Sequence, residues 1–216
     1  MLTTLLPPTS GSARVAGYDI CTSAHEVRCR IGYVPQMLSA DGALTGYENL
    51  LLSARLYGVA SNERASRIKT ALDFMGLSDS AHRLVKTYSG GMVRRLELAQ
   101  SMLHKPAVLF LDEPTIGLDP VARHAVWSHL KDLNREFRMT ILLTTHDMEE
   151  ANHLCVDVAI LQAGSMAIRG TPSELKAKVG EHATLDDVFA QFSASGNDAS
   201  RLTDTADVRR VARRLG

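Results

Sequence analysis

The sequence predicts an α/β fold: a buried parallel sheet with helices on its faces and a helical segment inserted between two of its strands. Three observations carry this. The runs at 31–34, 107–111, 140–144 and 157–162 are short and apolar on both faces, as strands covered by helices on each side must be. Helical patterns separate most of them, the alternation of a βαβ chain. Between 40 and 86 there are only helix and turn signals.

The elements follow in order. Residues 1–6 are apolar and are expected to be the last turns of a helix. Strands are expected at 12–15 and 31–34. Thr45 and Glu48 have the spacing of a capping box, opening a helix through Tyr57 that Gly58 stops. Ser61 opens another helix, ending at Gly76. The helix at 90–103 places Met92, Leu96, Ala99 and Leu103 on one face, and that at 121–137 does the same with Val126, Leu130, Leu133 and Phe137. Between and after them come strands at 107–111 and 140–144. Asp147 with Glu150 caps a further helix. The strand at 157–162 turns at Ala163-Gly164 into another at 166–169. Thr171-Pro172-Ser173-Glu174 starts a helix with proline at its first position. Beyond Phe192 the composition shifts to Ser, Ala, Asp and Arg, with a short amphipathic helix expected at 204–215. We divide the chain at 192: a domain over 1–192, with 40–86 as its helical subdomain, and a tail over 193–216.

The bulk properties exclude several classes. The chain has 216 residues, with 24 basic against 24 acidic side chains. A net charge of zero provides no field for nucleic acid. Its three cysteines have no metal-ligand spacing and fit reduced thiols. No apolar run approaches the roughly 20 residues that span a bilayer. The opening MLTTLLPP lacks a basic flank and breaks at Pro7-Pro8, which makes it a poor signal peptide. Work at a membrane would need a partner that supplies the spanning helices.

Chemistry concentrates at strand ends. Asp112 and Glu113 emerge from the C-terminal end of an apolar strand, where open α/β sheets bind ligands. Adjacent carboxylates repel unless a cation or hydrogen bonds relieve them. Asp112 suits Mg²⁺, and Glu113 suits orienting and deprotonating a water. His146 follows the strand TILLTT at the same edge and suits a hydrogen bond to a phosphate or to Glu113. Gln36 follows IGYVP, and its amide could ligate Mg²⁺ or place a water. Ser89 caps a helix whose first residues, Gly90 and Gly91, leave the backbone open to a phosphate. Asp119 either caps the helix at 121–137 or makes a contact across a subunit interface. The remaining histidines form no ligand pattern.

In order and spacing these segments resemble the ATP-binding subunits of ABC transporters, over nearly the whole chain. Gln36 matches the Q-loop, YSGGM at 88–92 the signature, VLFLD at 108–112 the Walker B strand, Glu113 the catalytic glutamate, GLDP the D-loop and His146 the switch histidine. PTSG at 8–11, TLDDVF at 184–189, Tyr88 in place of Leu and Met92 in place of Gln are similar to the drug-exporter branch, the daunorubicin-resistance ATPases. The resemblance implies a P-loop NTPase-like (RecA-like) sheet, ATP and Mg²⁺ as ligands, and a peripheral place at the cytoplasmic face of the membrane. It implies two partners: a transmembrane permease docked on 40–86, and a second ATP-binding subunit facing this one head to tail. Gln36, Asp112, Glu113 and His146 would then serve this chain's nucleotide. Ser89, Gly90 and Gly91, with Asp119 nearby, would face the partner's.

The chain departs from the family in one respect. No Gly-x-x-x-x-Gly-Lys-Ser/Thr loop occurs in it. We expect a family member whose phosphate loop and first strands are missing, cut short at its start, with weak ATP binding and marginal stability by itself. The alternative is a subunit that lends its signature to a complete ATPase and performs no catalysis.

Overall fold

A computed structural model describes residues 1–194; the expected helix at 204–215, and nearly all of the tail, lie outside the described residues. The contacts group into two compact units, Met1–His146 and the segment from Asp147 onward.

The first unit opens with turns. Residues 1–6 form no helix, contrary to expectation: one turn closes through the Thr4 amide and the Met1 carbonyl at 2.8 Å, and Thr4 is left-handed. Pro7 pushes the residue before it away from the helical region. A two-stranded ribbon follows, β1 (Arg14–Val15) antiparallel to β2 (Tyr18–Asp19). It is shorter than the expected 12–15 strand. Val15 and Ile20 pack with Val27 of helix α1 (Ala24–Arg28) on Phe110.

Three of the four expected strands form a parallel sheet; the fourth, at 157–162, pairs antiparallel with the strand that follows it, because the tight turn at Ala163-Gly164 folds the chain straight back. β3 (Ile31–Val34), β4 (Val108–Asp112) and β5 (Thr140–Thr144) lie in that order. Most of β3 and of β4 is buried. β5 is not: Leu142, at the sheet's edge, is 42% exposed. Apolar sequence gave β5 the look of an interior strand, but an edge strand is covered only where a neighbour reaches it.

Helices α2 (Gly46–Leu56), α3 (Ser61–Phe74), α4 (Gly90–Met102) and α5 (Pro120–Phe137) complete this unit. Thr45 and Glu48 form the expected capping box. Ser61 is the first helical residue of α3 rather than its cap, a position taken by Ala60. Between 40 and 86 the described structure is helices, short 3₁₀ turns and one isolated bridge, Thr45 to Leu84. α2 meets the sheet through an aromatic joint. The Tyr57 ring stacks on His104 at 3.9 Å, and His104 Nε2 lies 2.9 Å from the Ile31 carbonyl. Burial lowers the His104 pKa below its usual 6.5, so the ring there is neutral at pH 7.

The second unit contains α6 (Met148–Leu154), the hairpin β6 (Val158–Gln162) and β7 (Ser165–Gly170), α7 (Pro172–Val179) and α8 (Leu185–Ala194). Asp147 caps α6 by accepting from the Glu149 and Glu150 amides. Ala163 and Gly164 both take positive φ, 47° and 79°, the conformation that suits a two-residue hairpin loop. Ala151, Ile160, Leu175, Leu185 and Val188 form the core.

Three helix starts share one device. Glu48, Glu174 and Asp187 each accept a backbone N–H from the capping threonine three residues earlier. These bonds hold each carboxyl below its usual value of 4.5, 4.5 and 3.8. A lowered folded-state pKa adds stability that is present above the usual value and lost as pH falls through the folded one. Thermal melts should therefore fall steadily below about pH 5. Glu48→Gln and Glu174→Gln should lower the melting temperature at pH 7 and flatten that acid limb.

Candidate functional site at the sheet edge

Strand register brings four of the expected residues to one edge. Val34 pairs with Leu111, and Asp112 with Thr144. Gln36 thus leaves the sheet two residues after Val34, and His146 two residues after Thr144, both at the end where Asp112 and Glu113 stand. Thr144 Oγ1 donates to Asp112 Oδ1 at 2.6 Å. The Glu113 amide donates to the Thr144 carbonyl at 3.0 Å. Glu113 is left-handed, φ 48°, a conformation costing a non-glycine residue about 1–3 kcal/mol. That turn lets Asp112 end the strand while Glu113 faces the next one.

His146 Nδ1 lies 2.8 Å from Glu113 Oε2, with the histidine side chain 71% exposed and the glutamate 19%. With Glu113 ionised, the proton sits on the nitrogen facing it. Nε2 then accepts in the neutral ring and donates only in the imidazolium. The ring therefore orients the carboxylate from one side and presents a second nitrogen to whatever binds beyond it.

The other expected residues gather elsewhere. Ser89 caps α4 by accepting from the Met92 amide at 3.3 Å. Asp119 caps α5 by accepting from the Ala122 amide at 3.0 Å. The two caps are close: a Cβ on Gly90 would lie 3.4 Å from Leu118, and one on Gly91 only 2.8 Å from the Ala122 Cβ. Gly90 is exposed, whereas Gly91 is buried, so Gly91 is what lets α4 approach α5. Tyr88, just before the cap, donates its hydroxyl to the Ser80 carbonyl at 2.6 Å. It fills the space that a side chain at Gly46 would need.

Sequence reasoning passed over three buried polar residues. Arg94 and Glu97 of α4 pair at 3.0 Å, each side chain only 2% exposed. Arg94 also donates to the Pro35 carbonyl at 2.7 Å and the Gln36 carbonyl at 2.8 Å. Glu97 Oε1 accepts from the Ser39 amide and hydroxyl. Asn49 of α2 accepts from the Asp41 amide at 2.9 Å and donates to the Asp41 carbonyl at 3.0 Å. A signal was available: opposite charges three apart, on a helix whose neighbouring positions Leu96, Leu98 and Ala99 are all apolar.

The donor set at the edge fits Mg²⁺ in one way. Mg²⁺ takes oxygen ligands, keeps several waters, and is often held by one or two carboxylates together with a substrate's phosphates. Asp112 and the Gln36 amide supply such oxygens. Among the described residues, no group of three or more His, Cys, Asp or Glu side chains could hold a metal ion. A metal here would need oxygens from a bound ligand.

Comparison with known proteins gives this geometry its family. The ABC transporter family matches residues 1–116, and the chain belongs to that family. It is 43% identical over 182 residues to the daunorubicin/doxorubicin resistance ATP-binding protein DrrA of Streptomyces peucetius, covering 84% of this chain and 55% of that protein. It is 36% identical over 196 residues to the linearmycin resistance ATP-binding protein LnrL of Bacillus subtilis, covering 91% and 61%. The chain thus spans somewhat more than half the length of these relatives. Among solved structures, an ATP-binding subunit of an ABC transporter superposes with a TM-score of 0.74 at 27% identity, covering 88% of this chain and 80% of that one. The fold is accordingly of the P-loop NTPase-like α/β type.

The helix contact yields a prediction. Gly91→Ala should force α4 and α5 apart and cost about 1–3 kcal/mol in urea denaturation, the usual penalty for overpacking. Gly90→Ala, which meets only ordinary contact distance, should leave stability nearly unchanged.

Proposed function

We propose that the chain works as the ATP-hydrolysing subunit of a membrane exporter, driven by nucleotide-dependent closure of two such subunits. The observation that carries this reading is the 2.8 Å contact of His146 with Glu113, beside Asp112 at the C-terminal sheet edge. In it Glu113 accepts a proton from the water that attacks the terminal phosphate. His146 holds that carboxylate in place and, as the imidazolium, donates its other N–H toward the phosphate. Asp112 and Gln36 hold Mg²⁺, which when bound neutralises charge on the triphosphate.

Ser89, Gly90 and Gly91 offer a capped helix start to the nucleotide of the facing subunit. Asp119, beside them, shapes the same surface. The helical segment carries exposed Leu52 and Leu56, and the loop before it exposed Met37 and Leu38. Apolar groups in such a place suit a protein partner, here a transmembrane permease. Among the described residues no helix is long and apolar enough to cross a membrane, so in this reading the chain is peripheral at the cytoplasmic face and the permease spans. ATP binding favours the closed pair and hydrolysis releases it. The names of the relatives point to drug export as the transported class. The intact Glu113–His146 contact favours this reading over a subunit that only lends its signature.

No residue described fills the role of the glycine-rich phosphate loop and its lysine, which supply most of the hold on a triphosphate. Calorimetric titration of the 216-residue chain with Mg-ATP should show no saturable binding below about 1 mM. Micromolar affinity would overturn that part of the reading. Assembled with its permease and a complete nucleotide site, the protein should hydrolyse ATP. Glu113→Gln should then cut turnover by about 10²-fold or more while ATP-driven association persists; unchanged turnover would remove Glu113 from the chemistry.

A further inference from the structure

The backbone of residues 35–41 is gripped from two helices while the side chains of Gln36, Met37 and Leu38 are exposed. Arg94 spans the consecutive carbonyls of Pro35 and Gln36 with its two terminal nitrogens, and Glu97 takes the Ser39 amide and hydroxyl. Asn49 takes both backbone polar groups of Asp41. A buried ion pair is weak evidence for stability, because desolvation offsets its attraction. This pair, however, spends its remaining hydrogen-bonding capacity on one loop, and a planar guanidinium fork fixes direction as well as distance.

We propose that Arg94 and Glu97 are positioning residues for Gln36, holding its loop in fixed register with α4, the helix that Ser89 caps. The inference rests on the functional reading above for the meaning of Gln36 and Ser89, though not for the contacts themselves. Arg94 lies five residues after Ser89, about 7.5 Å along the helix axis. A shift of the loop relative to α4 must break charge-assisted bonds inside the protein, so loop and helix move together. Gln36 faces this chain's nucleotide and Ser89 the facing subunit's. The pair thereby links the two nucleotide sites of a closed dimer through one rigid body.

Amide hydrogen exchange on the full chain tests the grip. Arg94→Met with Glu97→Leu removes both charges at similar volume, so the protein should still melt cooperatively. Amides 36–41 should exchange at least tenfold faster, and those of β4 and α5 within twofold of the parent. Arg94→Lys, which keeps a charge for Glu97 but has no fork, should give a smaller rise over the same residues. Unchanged rates at 36–41 in the folded double variant would overturn the proposal, as would an equal rise across β4 and α5. If the double variant does not fold, Arg94→Lys decides by the same two criteria. In the hydrolysing assembly, Arg94→Lys should lower kcat several-fold with KM unchanged, and a change in KM alone would overturn the positioning role. A parent assembly without turnover would overturn the functional reading and leave the exchange result to judge the grip.

Discussion

Parallel pairing of β3, β4 and β5 is the constraint on which the site depends. In a parallel sheet all strands run the same way, so every chain exit lies at one edge. Because Val34 lies opposite Leu111 and Asp112 opposite Thr144, three segments far apart in sequence end side by side. A slip of one residue would turn the apolar set of a strand to its other face. The packing of Leu109 and Leu111, both fully buried, therefore also sets where Asp112, Glu113 and His146 meet.

The second organising element is α4, which is buried along most of its length. Its cap faces Leu118 and Ala122, its middle grips the loop after β3, and Gln100 reaches Ser53 of α2 at 2.9 Å. Arg95 further along donates to the Met75 carbonyl at the end of α3. One helix thus touches α5, the loop after β3, α2 and the end of α3. Gly91 is the price of that centrality, since a larger residue would not let α5 approach. The left-handed Glu113 is a comparable compromise: backbone strain is tolerated where the surrounding bonds, here to Thr144 and His146, hold it in place.

Much of this was legible because the signals are local. The capping box at Thr45, the helix start at Thr171-Pro172 and the Ala163-Gly164 turn act through residues within four positions of each other. Strand ends were legible for the same reason, since carboxylates, an amide and an imidazole directly followed apolar runs. Three readings failed where local signal was a poor guide. The run at 157–162 resembled a strand of the parallel sheet but pairs in a hairpin with β7. The apolar opening resembled a helix end but forms turns that run into Pro7 and Pro8. β5 resembled an interior strand but lies at the edge of the three-stranded sheet.

By itself the sequence determined which segments are helices and strands, which polar residues stand at strand ends, and the family these motifs resemble. Periodicity, caps and turn chemistry are short-range, so a chain can be read for them one window at a time. Only the tertiary structure decided that His146 orients Glu113, that Gly91 serves helix packing, and that Arg94 and Glu97 hold the Gln36 loop. Each of these joins residues 31 to 59 positions apart. Such meetings depend on strand register and helix packing, which no local window contains.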